Sequence, residues 1–346
     1  MASIVFLNMV TIQTLSQNIS SIAGKVVDKG TKEPLPFAAV YLAKTTIGVA
    51  TFVDGTFFLD KIPPGKYDLT ISMLGYRTYS RSVLLPLPTM EEVVIELESQ
   101  PTALDPITIL SSKIKRSQDS FKEFKKYFLG ETKNASSCSI LNPKDVFTYK
   151  QDSKLIALTS SSKPIEVINE ALGYRITYDL KEFELNYKEG KITTSGIPRF
   201  EELTSESARQ RKKWDRERDR AYYGSFEHFL KSLEHKELAQ NFFVIKDKNG
   251  NPIDAKDIIK QNILTYPGLL YVTYTQEPSE FQMSKIAYPE QRSSIEFNGE
   301  PITIFDNGNF EEFHNLILYG YFGWSSHVGE LLPFGYQPTR KINLIK

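Results

Sequence analysis

The chain has 346 residues, 40% of them hydrophobic and 24% charged, which is ordinary globular material and enough for two units with cores of their own. Its 42 basic and 42 acidic side chains cancel, so no global field recruits nucleic acid or an acidic lipid surface. The single cysteine, Cys138, excludes an intramolecular disulfide, and after the N-terminus no window reaches the roughly 18 uninterrupted apolar residues of a membrane-spanning helix.

At the N-terminus, Ala2 to Val10 is a short apolar stretch, and Thr14-Leu15-Ser16 puts small residues ahead of a cut before Gln17. No Lys or Arg precedes it, so the usual basic n-region is missing; residues 1–16 read as a shortened signal peptide, the alternative being an extra N-terminal strand or a disordered tail. Strict alternation follows. Tyr67, Leu69, Ile71 and Met73 fall on one face of a strand, with Asp68, Thr70 and Ser72 on the other. Val93, Ile95 and Leu97 repeat the scheme against Glu96 and Glu98, and Phe37 to Leu42 is more continuously apolar, as befits a strand near a sheet centre. Asp54-Gly55 lies between the β-rich runs Gly48 to Val53 and Thr56 to Leu59, which predicts a tight hairpin. Pro63-Pro64-Gly65 predicts a second turn, and Gly75-Tyr76 ends the strand begun at Lys66. Turns at this spacing predict an all-β unit of about seven short strands over residues 20–99.

The segments Gly24-Lys25-Val26-Val27-Asp28, Pro34 to Val40, Asp54-Gly55-Thr56-Phe57, Ile62 to Tyr67 and Leu74-Gly75-Tyr76 together resemble the carboxypeptidase-regulatory-like, transthyretin-like (prealbumin-like) domain. The resemblance implies an accessory β-sandwich; the zinc peptidase to which the domain is sometimes attached is a separate unit, and nothing here is similar to it. In envelope proteins of Gram-negative bacteria the module precedes a TonB-dependent outer-membrane transporter or another secreted domain, which implies export to the periplasm or outer membrane. Leu104 to Ile109 is similar to the short segment that follows the module there, with Pro106 departing from the usual pattern.

Residues 100–120, with Pro101, Pro106 and a basic cluster, read as a linker to an α+β domain over 121–346. Phe121, Phe124 and Phe128 predict an amphipathic helix ending at Gly130. Cys138 reads as a small buried apolar residue on the 135–141 segment. Strands are predicted at Val146 to Thr159, Gly173 to Tyr187 and Lys191 to Ser195, with Gly190 as a turn residue. Ile165 to Leu172 is predicted as a short helix capped by Gly173, similar in outline to the βαβ modules at the front of secretins.

Ser205 to Leu238 is the most distinctive segment. Arg209 to Arg220 packs seven basic and three acidic residues around Trp214. One reading is a solvated helix face laced with ion pairs. The other is a contact surface for an anionic ligand or partner, in which Arg209, Arg216, Arg218 and Arg220 supply bidentate donors and Trp214 a stacking plane. Phe226, Phe229, Leu230 and Leu233 then form an apolar helix stripe, and Gly224-Ser225 divides the two halves. Further strands are predicted at Phe242 to Ile245, Leu269 to Thr275, Gln282 to Tyr288, Ser293 to Phe297 and Ile302 to Phe305. Turns are predicted at 248–251 and 306–309; Asp306-Asn307-Asn309 does not fit the calcium-loop series. The aromatic tail Tyr319 to Trp324 reads as an element packed on the sheet rather than a sugar platform.

The order of Trp214, Arg218, Tyr222, Gly224-Ser225, His228-Phe229-Leu230 and Ser232-Leu233, with Gly320-Tyr321 and Leu331-Leu332-Pro333, resembles a family of uncharacterised envelope proteins of the same bacteria. The expected architecture is therefore mainly β with α+β: a seven-stranded prealbumin-like sandwich, then an α+β domain with a long charged helical segment. No nucleophile elbow, phosphate loop, His-Glu-x-x-His or paired-cysteine metal spacing is present, so no metal, cofactor or catalytic residue is nominated. His228 and His235, seven apart, read as packed or surface residues. The leading expectation is a non-enzymatic envelope protein that binds an envelope protein or glycan. An accessory of TonB-dependent transport and a hydrolase with a dispersed site in 121–346 are the alternatives, the latter favoured by a cleft that holds a carboxyl with a raised pKa.

Overall fold

Alternating apolar residues build the first seven strands and sort them onto two sheets. The computed structural model describes residues 19–86, 93–100, 118–151, 156–161, 163–276, 289–305, 307–311 and 315–340. The expected signal segment, Leu104 to Ile109 with most of the expected linker, the strand expected at Gln282 to Tyr288, and Asp306 lie outside these residues. Strands β1 (Ser20–Asp28), β4 (Thr56–Ile62) and β7 (Val93–Leu97) form one sheet in the order β4-β1-β7. Strands β2 (Ala39–Leu42), β3 (Gly48–Ala50), β5 (Gly65–Ser72) and β6 (Tyr79–Leu85) form the other, in the order β3-β2-β5-β6. Val26, Leu59 and Ile95 of the first sheet and Val40, Leu42, Leu69 and Ile71 of the second bury together as one core. The dry face expected from Tyr67, Leu69 and Ile71 is the buried one.

Asp54-Gly55 does not join a hairpin. β3 pairs with β2 and β4 with β1, so the turn carries the chain from one sheet to the other. Local bonds hold it, with the Phe52 N–H donating to Thr56 O at 2.8 Å and the Gly55 N–H to Phe52 O at 2.9 Å. Glycine is required there because a Cβ would lie 2.5 Å from Val26 O on the neighbouring strand. A two-residue turn signal is the same at a hairpin tip and at a sandwich corner; the partner strand decides between them.

After the sandwich, α1 (Gln118–Leu129) packs Phe124 and Phe128 onto a six-stranded sheet of β8 (Cys138–Ile140), β9 (Val146–Gln151), β10 (Ile156–Ser161), β11 (Ile165–Asn169), β12 (Tyr174–Asn186) and β13 (Lys191–Glu202). The Phe124 ring stacks on Phe128 and meets Phe183 edge-on, both with centroids 4.8 Å apart. The run expected as one strand from Val146 to Thr159 is the hairpin β9–β10. The helix expected over Ile165 to Leu172 is a strand and a turn. Ile165, Val167 and Asn169 alternate into the core, and the Asn169 side chain accepts from the Leu172 N–H at 3.0 Å while donating to Gly329 O at 2.9 Å. That side-chain bond offers the backbone a tight turn in place of a helical one.

Two helices cross from this first core to another. α2 (Ala208–Tyr222) is capped by Ser207, whose Oγ accepts from the Gln210 N–H, and α3 (Phe226–Glu234) by Ser225, which accepts from the His228 N–H. Gly224, at φ +77°, makes the expected break. Phe229, Leu230 and Leu233 of α3 pack on a sheet of β14 (Phe243–Lys246), β17 (Leu269–Tyr274), β18 (Gln291–Phe297) and β20 (Leu316–Gly320). The short helix α4 (Ala255–Ile258) and the small sheet of β15 (Ile259–Lys260), β16 (Ile263–Leu264) and β19 (Ile302–Thr303) close this core. The aromatic tail is α5 (Tyr321–Ser325), whose Phe322 is buried in the same core and donates its N–H to Ser293 Oγ at 3.0 Å. Residues after 118 therefore hold two hydrophobic clusters, here called the body.

Candidate functional site

The basic helix face turns inward at two of its five nominated residues. Trp214 is 5% exposed, donates Nε1–H to Glu170 O at 2.9 Å, and lies flat on Gly173, where a Cβ would sit 2.2 Å from the indole. Arg218 is buried beside it. Its Nε–H donates to Leu172 O at 2.7 Å, its other nitrogens to Gly173 O at 3.2 Å and Glu202 at 3.1 Å, and the guanidinium stacks on the Tyr174 ring at 4.0 Å. These two side chains fasten α2 to the turn between β11 and β12. Arg216 and Arg220 are exposed and grip the buried Glu217 from two sides, at 2.9 and 3.0 Å. Arg209 is exposed. Asp219, also buried, accepts from the Tyr336 hydroxyl and from the Thr339 N–H and hydroxyl, each at 2.8 Å, which ties the C-terminal segment to α2.

The sandwich is bonded to the body through backbone and side-chain groups of both parts. The Lys44 N–H donates to Pro198 O and its carbonyl accepts from the Phe334 N–H, both at 2.7 Å, while Thr45 O accepts from the Phe200 N–H at 3.1 Å. Asn307 and Asn309 donate their side-chain amides to Lys66 O at 2.8 and 3.3 Å, and the Lys66 ammonium pairs with Glu311. Gly65, at φ +147°, lets the Asn307 side chain approach to where a Cβ would be 2.8 Å from it. A Gly65→Ala variant is expected to lose about 1–3 kcal/mol by strain and steric displacement at this contact. Chemical denaturation checks the loss.

Between the sandwich and the two body cores lies a cavity of about 600 Å³, within the range of small-molecule sites. The sandwich contributes Ala43, Lys44, Lys66, Asp68 and Ser82; the body contributes Phe226, Glu227, Leu230, Phe310, Leu318 and Phe334 among others. Glu227 lies mostly buried on α3. Burial pushes its carboxyl above the ordinary range against the pull of Lys231, of the Gly335 N–H and of Lys44. The Lys231 ammonium stands 2.9 Å away, one helical turn on. Burial also lowers the Lys44 ammonium, opposed by Asp68 and Glu227. The hints in sequence were faint: an i,i+4 Glu-Lys pair, which is common on any helix, and an Asn-Gly-Asn turn.

Among the described residues, His327 is the one histidine or cysteine that lines this cavity. His228 is packed under Tyr222, Tyr223, Phe243 and Tyr274, and its ring is held neutral by burial, its pKa lowered to about 3. His235 lies at the surface beside Glu234, so the two expected as packed or surface residues are one of each. Cys138 is buried as expected, with its thiol pushed up to about 12. Among the described residues no group of three His, Cys, Asp or Glu is placed to hold a metal ion.

Seven strands on two facing sheets, entered through Gly24 and turned at Gly55 and Gly65, place the first part of the chain. Residues 22–109 match the CarboxypepD_reg-like domain family. The CarboxypepD_reg-like domain is thus the sandwich that forms one wall of the cavity. No curated protein matches the chain in sequence. Solved structures similar to it include a streptococcal ancillary pilin, with 18% identity and TM-score 0.22 over 24% of this chain and 30% of that one. A group B streptococcus pilus 2b backbone protein matches with 19% identity and TM-score 0.21 over 25% and 42%. A Bacteroides fragilis protein of unknown function matches with 13% identity and TM-score 0.20 over 88% and 95%. The chain spans less than half the length of the two pilus proteins it matches. Among the described residues no helix is long and apolar enough to cross a membrane.

Proposed function

We propose that this chain is a non-enzymatic, exported protein of the cell envelope in which the CarboxypepD_reg-like domain is a fixed accessory wall and the junction cavity is a binding site. The observation that carries the reading is the pinning of Lys44 and Lys66 to the body by backbone and side-chain hydrogen bonds, which holds the sandwich as part of a cavity instead of as a tethered neighbour. A larger envelope partner, protein or glycan, has a separate surface available. Phe37, Phe52 and Val53, at 74%, 65% and 77% exposure, lie beside the exposed edge strand β3 of the sandwich. The exposed arginines 209, 216 and 220 offer that partner a basic face on the body.

A hydrolase reading is favoured by one observation, the raised Glu227 carboxyl in the cavity. Its close pairing with Lys231 and the Gly335 N–H favours a structural charge pair over a proton donor. A Glu227→Gln variant separates the two. Neither the wild type nor the variant is expected to hydrolyse aryl glycosides, aryl esters or peptidoglycan fragments above buffer. Turnover by the wild type that falls by about 100-fold or more in the variant would establish the hydrolase.

A further inference from the structure

Of the three lysines that line the junction cavity, Lys44 alone lacks an ion-pair partner among the described residues. Lys66 pairs with Glu311, Glu227 with Lys231, and Lys181 with Asp179 at 2.7 Å. The Asp68 carboxylate accepts from the Ser82 hydroxyl at 2.6 Å, and Glu330 accepts from the Asn134 amide at 2.9 Å. Among the described residues Lys44 has no carboxylate within ion-pair distance; its ammonium rests over the Phe334 ring, 4.9 Å from the centroid. We propose that the cavity binds a monoanionic amphiphile, a single carboxylate or sulfonate head on an apolar tail, with the Lys44 ammonium as counter-ion to the head. This rests on the reading of the cavity as a binding site and names the class of ligand it takes.

Four further features support that class. The Lys44 backbone sits at φ +62°, a conformation that a side-chain-bearing residue adopts at a cost of about 1–2 kcal/mol, and the two 2.7 Å bonds to Pro198 and Phe334 hold it there. The side chain is thereby committed to the cavity side of the junction. Phe226, Leu230, Phe310, Leu318 and Phe334 give the cavity an apolar wall that suits a hydrocarbon tail. Asp68, Glu227 and Glu311 line the same space, so a second negative charge on the ligand, as in a phosphate diester's dianionic relatives or a nucleotide, meets repulsion. Burial disfavours the Lys44 ammonium as it stands, and an anionic head beside it offsets that cost.

The test uses the whole chain and two naphthalene dyes of similar shape, the anionic 1-anilinonaphthalene-8-sulfonate and the neutral N-phenyl-1-naphthylamine, with dodecanoate and dodecanol as competitors. The wild type is expected to bind the anionic dye at a single saturable site, displaced by dodecanoate at about tenfold lower concentration than by dodecanol. Lys44→Met is expected to weaken the anionic dye and dodecanoate by about tenfold or more while the neutral dye and the melting temperature stay unchanged. If Lys44→Met leaves the anionic affinity unchanged, or dodecanol competes as well as dodecanoate, the charge recognition is wrong although the cavity still binds. If neither dye binds saturably to the wild type, or Leu318→Trp, which fills the cavity, leaves their binding intact, the cavity reading itself falls and the proposal with it.

Discussion

Trp214→Ala is expected to lower the unfolding free energy by about 3–5 kcal/mol, the range for truncating a buried aromatic. The indole is 5% exposed and fills the space above Gly173, so its removal leaves a cavity that the turn cannot close without moving. It also strands Glu170 O, which accepts from the indole N–H at 2.9 Å. Arg218 sits next to it and bonds the Leu172 and Gly173 carbonyls of the same turn, so the loss should spread to the anchoring of α2 as a whole. Urea denaturation followed by far-ultraviolet circular dichroism measures it. A loss below about 1 kcal/mol would mean that the indole is not a structural fastener, and would return Trp214 to the role of an available stacking plane.

Acid is expected to unfold the protein in part through His228. Its Nδ1 accepts from the Gly224 N–H at 3.1 Å, which requires an unprotonated nitrogen, and four aromatic rings exclude water from it. The folded pKa is lowered to about 3, against about 6.5 in an unfolded chain. Above the unfolded value neither state binds the proton and stability is unaffected. Between the two values only the unfolded state binds it, so stability falls by about 1.4 kcal/mol per pH unit as pH drops through that window. The total is up to about 4 kcal/mol by pH 3.5. Asn241 bonds the ring and Lys231 opposes its protonation; among the described neighbours no carboxylate is ion-paired with it. His228→Asn keeps an acceptor near Gly224 but cannot titrate, so its stability between pH 6.5 and 4 should decline less steeply than that of the wild type. His327, also lowered by burial, keeps the remaining slope from vanishing. Parallel declines in the two proteins would rule out His228 as a source of acid sensitivity.

The sandwich was legible because its information is local. Tyr67, Leu69 and Ile71 declare a dry face by spacing alone, and two glycine turns lie where the chain must reverse. Local signals failed where a distant partner decides. Asp54-Gly55 is a corner because β1 captures β4, and Ile165 to Asn169 is a strand because β12 runs beside it and Asn169 reaches across to Gly329. The charged helix illustrates the same limit. Its sequence shows that Arg, Glu and Trp are close together, but which of them face inward depends on the turn at Leu172 and Gly173, more than thirty residues earlier. The junction cavity was illegible for a stronger reason: Lys44, Lys66, Glu227 and Phe334 come from segments up to 290 positions apart, and only Lys66 belongs to a motif, one that marks the sandwich and not the cavity. Gly65 reads in sequence as a turn residue, whereas its lack of a side chain also serves the approach of Asn307.

The central claim is that the sandwich is held by the body and walls a shared cavity. Amide hydrogen exchange at Lys44 and Phe334 tests it most directly, since their N–H groups donate across the junction at 2.7 Å. Both amides should be slowed by at least about a hundredfold relative to exposed peptide, approaching the protection of Val40 in the sandwich core. If Lys44 and Phe334 exchange like open chain while Val40 and Ile176 stay protected, the two parts move independently and there is no fixed cavity between them.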